Sequence, residues 1–269
     1  MIDLSKFWES AWDAETRQAR CRIDTNNYGL EQQHSILENW VFKYFIYAYL
    51  TGDDKYVSKI ISGLWVHDSI IPRVRYYGDK DMIKLDPNNG WKRGKDQWEK
   101  ECWLRTDMGV GQATCILGLG LLNLNAFAVL LSTAIAKQKF QMMYQGEVVP
   151  QGKYLSMIPP YGNNILEALC ISEIAKIPFP LVHRWRIPLS LRFVFPGESK
   201  AHRSIILWVL QKINLKYEAV FKAWIKTRPD DLVKAEEKAK RITDIYDPDF
   251  LSAQLDAEIQ KGILEGILA

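Results

Sequence analysis

A chain of 269 residues, 48% hydrophobic and 25% charged, is long enough to bury a sizeable core and is composed like a globular protein rather than a disordered or fibrous one. Its net charge of +3 arises from 35 Lys and Arg scattered among 32 Asp and Glu, which argues against a dedicated nucleic-acid binder. The four cysteines, Cys21, Cys102, Cys115 and Cys170, lack CxxC spacing; Cys115 and Cys170 sit in apolar runs and read as core thiols, and a reducing compartment is expected.

Residues 1–22 are charged and lack the apolar run of a signal peptide, so a cytoplasmic or virion-associated location is expected. Residues 4–22, with Phe7, Trp8, Ala11, Trp12 and Ala19 among charges, read as an amphipathic helix. The stretch from Asp24 to Gly29 breaks it. It mimics an EF-hand loop only superficially, because Tyr28 stands where an oxygen ligand is needed and Ser35 replaces the terminal Glu.

The next helix, about 30–50, sets Leu30, His34, Leu37, Val41, Tyr44 and Ala48 on one face. Thr51-Gly52-Asp53 closes it, Gly52 supplying a left-handed cap, and a further helix covers about 54–67. Helices joined this tightly predict an antiparallel pair. From Pro72 to Arg105 periodicity fails, which predicts a long ordered loop with a short helix near 95–102. Arg73, Arg75, Tyr76 and Tyr77, followed by Trp91, Lys92, Arg93 and Lys95, form a basic and aromatic cluster within that loop.

Met108 to Ala136 carries no charged residue and is long enough for a membrane span. Gln112, Thr114, Asn123, Asn125, Ser132 and Thr133 are dispersed along it, which favours a buried helix instead. Gly109, Gly111, Gly118 and Gly120 cost helix propensity, so close approach of neighbouring helices is expected there. Asn163 or Asn164 is the expected cap of a helix over 165–174, and a patterned helix follows over 199–226. Residues 230–243 read as a solvated helix. The last, 248–268, repeats Leu251, Leu255, Ile259, Ile263 and Ile267 every four residues, a docking stripe for a homo-oligomer or larger assembly. The predicted fold is all-α, built of antiparallel helical hairpins, with a core domain over 1–228 and a C-terminal helical extension over 229–269.

The run Ala48-Tyr49-Leu50-Thr51-Gly52-Asp53-Asp54-Lys55-Tyr56 resembles a turn frequent in the (α/α) toroid carbohydrate-active proteins. Arg105-Thr106-Asp107 ahead of a Gly-rich apolar helix is similar to an inner helix of that architecture, whose N-terminal end opens onto the sugar cleft. The resemblance covers about 28–140. It implies an incomplete toroid, since six hairpins need more chain, and a polysaccharide partner. It further implies a Tyr or His base and an Arg or Asn that neutralises a uronate; the matching positions are His34, Tyr161, Asn163 and Arg105.

The residues themselves leave each role open. His34 with Glu38 one turn on is a carboxylate-oriented base or a core histidine. Asp107 is a helix-dipole partner, or one of two hydrolase carboxylates beside Glu38, Glu99 or Glu101. Trp91, Trp98 and Trp103 stack on sugar rings or pack in a core or interface. There is no P-loop, GxSxG or HExxH, and His34, His67, His183 and His202 are too dispersed for a zinc site, so no metal or cofactor is implied. The reading is a polysaccharide-binding or polysaccharide-cleaving protein, a lyase or hydrolase in the latter case, with no nucleic-acid or membrane partner. The alternative is a non-catalytic structural or assembly protein such as a virion component.

Overall fold

Short polar strands alternate with longer apolar helices along the chain, whose computed structural model describes residues 5, 12–14, 17–21, 33–35, 39–72, 74–77, 90–106, 117–121, 125–155, 162–194, 200–228, 230–243 and 250–268. Strands β1 (Trp12–Asp13), β2 (Gln18–Cys21) and β3 (Gln33–Ser35) form an antiparallel sheet in that order. Helices α1 (Asn39–Thr51) and α2 (Val57–Gly63) follow. Strands β4 (Val74–Tyr76), β5 (Trp91–Lys95) and β6 (Glu101–Arg105) make a second antiparallel sheet, ordered β4-β6-β5. A helical segment, 117–121, and α3 (Asn125–Lys137) lead to the hairpin of β7 (Gln141–Tyr144) and β8 (Glu147–Lys153).

The remainder is helical. It comprises α4 (Asn163–Ala175), a 3-10 turn Leu181–His183, α5 (Arg186–Arg192), α6 (Lys200–Ile213), a 3-10 turn Leu215–Tyr217, α7 (Glu218–Ile225), α8 (Asp231–Arg241) and α9 (Phe250–Leu268).

The protein is therefore mixed α/β, and the all-α expectation is overturned by two three-stranded antiparallel sheets. The strands escape a pattern search because they are short and polar: β5, Trp-Lys-Arg-Gly-Lys, has one apolar side chain. What orders them is the backbone ladder together with the inward side chains Cys102 and Leu104 of β6. The expected long loop over 72–105 contains all of β4, β5 and β6. The helix expected near 95–102 is the β5–β6 turn, because the Asp96 carboxylate accepts hydrogen bonds from the backbone N–H of Trp98 (2.8 Å) and Lys100 (3.0 Å) and closes the chain locally.

Part of the 4–22 segment read as a helix pairs as β1 and β2. Tertiary contact overrides the helical pattern here, since the buried Gln18 amide bonds both the N–H (2.8 Å) and the C=O (3.0 Å) of Arg75. Of the expected 30–50 helix the structure describes Asn39–Thr51 as helical, and His34 lies in β3 instead. The turn after it follows the sequence closely. Gly52 adopts φ +75° and its N–H returns to the Ala48 carbonyl at 2.9 Å, while the Tyr44 hydroxyl donates to Asp53 O and accepts from Tyr56 N, both at 3.0 Å. α2 is shorter than the predicted 54–67, because the chain turns extended at Leu64.

Within the charge-free stretch, residues 108–116, Cys115 among them, and 122–124 lie outside the described residues. Of the four glycines, Gly109 and Gly111 lie outside the described residues and the other two pack as close approach requires: a Cβ on Gly118 would sit 2.7 Å from Phe45 Cβ, and one on Gly120 would sit 3.2 Å from Ile174 Cδ1. α3 is not wholly buried, for Val129 and Leu130 are exposed. Among the described residues no helix is long and apolar enough to cross a membrane.

The 199–226 helix divides at Asn214, which is extended and whose side chain accepts from Lys216 N, leaving α6 and α7 on either side of a 3-10 turn. α8 is exposed on one side and half-buried on the other, with Ala239 buried. The stripe of α9, Leu251, Leu255, Ile259 and Ile263, is buried within the chain, where α9 packs on α1 and α8. Lys43 of α1 locks this contact, reaching Ser252 Oγ and Asp256 Oδ2, each at 2.6 Å.

Replacing Gly118 by Ala is expected to lower stability by about 1–3 kcal/mol through overpacking against Phe45, despite the better helix propensity of Ala. Urea unfolding monitored by circular dichroism, with an unchanged m-value, checks this.

Candidate ligand-binding face

β6 is the central strand of the second sheet, so Trp103, Leu104 and Arg105 each have a neighbour on both sides. The register places Trp91 opposite Arg105, Arg93 opposite Trp103 and Lys95 opposite Glu101 across β5–β6, with Val74 and Tyr76 beside Arg105 and Trp103 across β4–β6. Because side chains alternate along a strand, these residues share one face. Trp91, Trp103, Arg105 and Tyr76 are half-buried on it, and Arg93, Lys95 and Glu101 are exposed. The two tryptophans and two arginines thus alternate as a checkerboard. The Arg93 guanidinium lies 5.8 Å from the Trp103 ring and 3.5 Å from the Glu101 carboxylate. Trp91 Nε1 is buried with no acceptor among the described residues.

The opposite face belongs to the interior. Cys102 and Leu104 are buried there, and a Cβ on Gly94 would clash with the Tyr144 hydroxyl and the Leu104 side chain, which the absent side chain of glycine avoids. Burial, with Asp96 nearby, pushes the Cys102 thiol up to about 12, which makes it a core thiol and not a nucleophile. Arg75 is 4% exposed; its guanidinium donates to Gly63 O (2.8 Å), Gln97 Oε1 (2.9 Å) and Arg17 O (3.3 Å). Burial lowers its pKa, opposed by nearby Tyr77 and Asp96. Lys92 pairs with Glu147 and ties β5 to the β7–β8 turn.

The structure brings Trp91, Trp103 and Arg105 together, as members of one sheet face rather than the mouth of a helix. Trp98 sits in the hairpin turn and is engaged elsewhere, 4.9 Å from the Arg17 guanidinium and 5.7 Å from that of Arg75. His34 is in the other sheet, paired in register with Arg20. Asn163 occupies the first turn of α4, buried, where its Oδ1 accepts from Arg203 Nε at 2.9 Å; the cap position is Gly162. Glu38, Asp107 and Tyr161 lie outside the described residues, as do Arg73 and the turn 24–29.

No family model, curated protein or solved structure matches the chain.

A second polar cluster escaped the sequence reading. Glu167, buried in α4, is 2.8 Å from His202 Nε2 on α6, and the adjacent Arg203 donates to Asn163, Ser190 O (2.6 Å) and Phe193 O (2.7 Å). A buried carboxylate holding an imidazole is the arrangement that His34 and Glu38 were read to supply. The available signal was Glu167 itself, a carboxylate inside the apolar run Ile165–Ile174, which folding permits only with a partner.

Asp96 makes the hairpin pH-sensitive. Burial works against its charged form, yet the bonds from Tyr77 (2.7 Å), Lys100 N and Trp98 N, with Arg75 nearby, outweigh burial and hold its pKa below the usual carboxylate range. A depressed folded pKa contributes stability present above the unfolded value and lost as pH falls through the folded value. Stability is therefore expected to decline as pH drops below the ordinary Asp range. Asp96→Asn should flatten that acid limb, as read from urea midpoints across a pH series.

Proposed function

We propose that the protein binds an acidic polysaccharide on the outer face of the β4-β6-β5 sheet. The observation that carries this reading is the alternation of Trp91 and Trp103 with Arg105 and Arg93 across β5–β6. Indole faces pack against the C–H faces of sugar rings, while guanidinium groups take carboxylates with directed, paired hydrogen bonds. Arg105 and Arg93 would then meet uronate groups and the tryptophans the ring faces between them. Glu101, the carboxylate on this face, is held by Arg93, so the reading is of binding; cleavage rests on His34, Glu38, Asp107 and Tyr161.

Affinity electrophoresis through gels containing uronate-rich or neutral polysaccharides tests it. Retardation is expected in the uronate gels. Trp91→Ala should weaken it about tenfold, equivalent to ~1.4 kcal/mol, and Arg105→Gln should abolish the preference for acidic over neutral polymer. No retardation in any gel, or retardation untouched by both variants with folding intact by circular dichroism, would sink the reading. Release of unsaturated or reducing ends in the same mixtures would extend it to cleavage.

A second reading, a non-catalytic assembly protein, is favoured by Val129 and Leu130, which α3 exposes in a helix with no charge before Lys137. Concentration-dependent mass by light scattering, lost in Leu130→Lys, is its expected signature.

A further inference from the structure

The segment from the 3-10 turn through α5 is inside out. Leu181, Val182, Trp185 and Phe193 are 74%, 71%, 54% and 52% exposed, whereas Arg186 and Ser190 are fully buried. Trp185, Pro188, Arg192 and Phe193 follow one another at helical spacing along the outward side, while Arg186 and Ser190 fall on the inward side, one turn apart. The buried groups are bonded: Arg186 reaches Leu155 O (3.4 Å) and His183 Nδ1 (3.2 Å), and Ser190 Oγ accepts from Gly162 N (3.1 Å). Polar groups are thus used inside while large apolar side chains face outward. In water that is costly, and it is relieved by an apolar phase on the outside.

Charge selects which apolar phase. The sequence has no Asp or Glu between Glu173 and Glu198, and Lys176, Arg184 and Arg192 are exposed within that span. Beside the apolar ridge a cleft of about 490 Å³ is lined by Lys176, Arg184, Lys216 and Glu173, with Phe179 and Ile187 among its apolar walls. Its carboxylate is already taken: Glu173 accepts from Lys216 (2.6 Å), Asn214 (3.1 Å) and Tyr217 (3.3 Å). With Lys216 paired to that carboxylate, Lys176 and Arg184 supply the cleft's net positive charge, a setting for a phosphate headgroup next to side chains of the kind that enter the acyl boundary.

We infer that this face docks on an anionic phospholipid bilayer, with Leu181, Val182 and Trp185 inserted at the headgroup boundary and Lys176, Arg184 and Arg192 against lipid phosphates. Such contact lies on the membrane and needs no spanning helix. It is independent of the glycan reading, which concerns a different face.

Flotation of the full chain with phosphatidylcholine vesicles, and with vesicles of phosphatidylcholine and phosphatidylglycerol, tests the inference. Binding to the anionic vesicles at low salt is expected to be at least tenfold tighter than to neutral ones, and to fall as salt rises. The exposed triple variant Leu181→Ser, Val182→Ser, Trp185→Ser should lose it while keeping the native circular dichroism spectrum. Arg184→Gln with Arg192→Gln should remove most of the anionic preference. No flotation, equal flotation with neutral vesicles, or binding unaffected by the triple variant would each overturn the inference. So would concentration-dependent dimerisation without vesicles that the triple variant abolishes, since a second copy would then be the occupant.

Discussion

The buried guanidinium of Arg75 is the contact on which the candidate binding face depends. A cation removed from water needs acceptors, and those named above for the Arg75 guanidinium belong to different parts of the chain: Gly63 at the end of α2, Gln97 in the β5–β6 turn, and Arg17 before β2. Gln18 then binds the Arg75 backbone on both sides, which joins the first sheet to the second. One side chain and one amide thereby fix the register of β4, the position of the hairpin turn and the plane of the sheet. Trp91, Trp103, Arg93 and Arg105 face outward together because that plane is set from behind.

A similar rule governs the helical half. Arg203 is fully buried and bonds Asn163, Ser190 and Phe193, spanning α4, α5 and α6, with the Trp224 ring 5.4 Å away. Arg186 is buried in the same way. Interior space on the inner side of α5 is filled by guanidinium and hydroxyl groups, so its apolar residues are displaced to the outside. The exposed ridge is thus a consequence of the polar interior as much as a feature of its own.

Legibility in the sequence followed the range of the deciding interaction. The α1–α2 turn was readable because Gly52 and the Thr51 and Asp53 positions act within a few residues, and α8 and α9 because charge and apolar spacing are local. His34 was misplaced on a helix because its stretch is compatible with a helical stripe, and only pairing with Arg20 makes it a strand. β5 was invisible for the same reason: its conformation comes from β6, and no periodic apolar pattern marks it. Of the candidate ligand residues, Trp91, Trp103 and Arg105 were found as types suited to sugars, but their shared face depends on a ladder that no spacing in the sequence encodes.

The sequence by itself determined where the chain must bend, which helices have an apolar side, that the glycines before α3 need close neighbours, and that Glu167 requires a partner. Each follows from the conformational freedom of glycine, from burial of apolar surface, or from the cost of an unsatisfied charge, all of which a residue carries with it. The tertiary structure alone decided that polar segments pair as sheets, that Arg75 and Arg203 are interior, and that Trp185 and Leu181 face outward. Those outcomes depend on acceptors and ladder partners tens of residues away, and a hydrogen bond has no direction until both of its ends are in place.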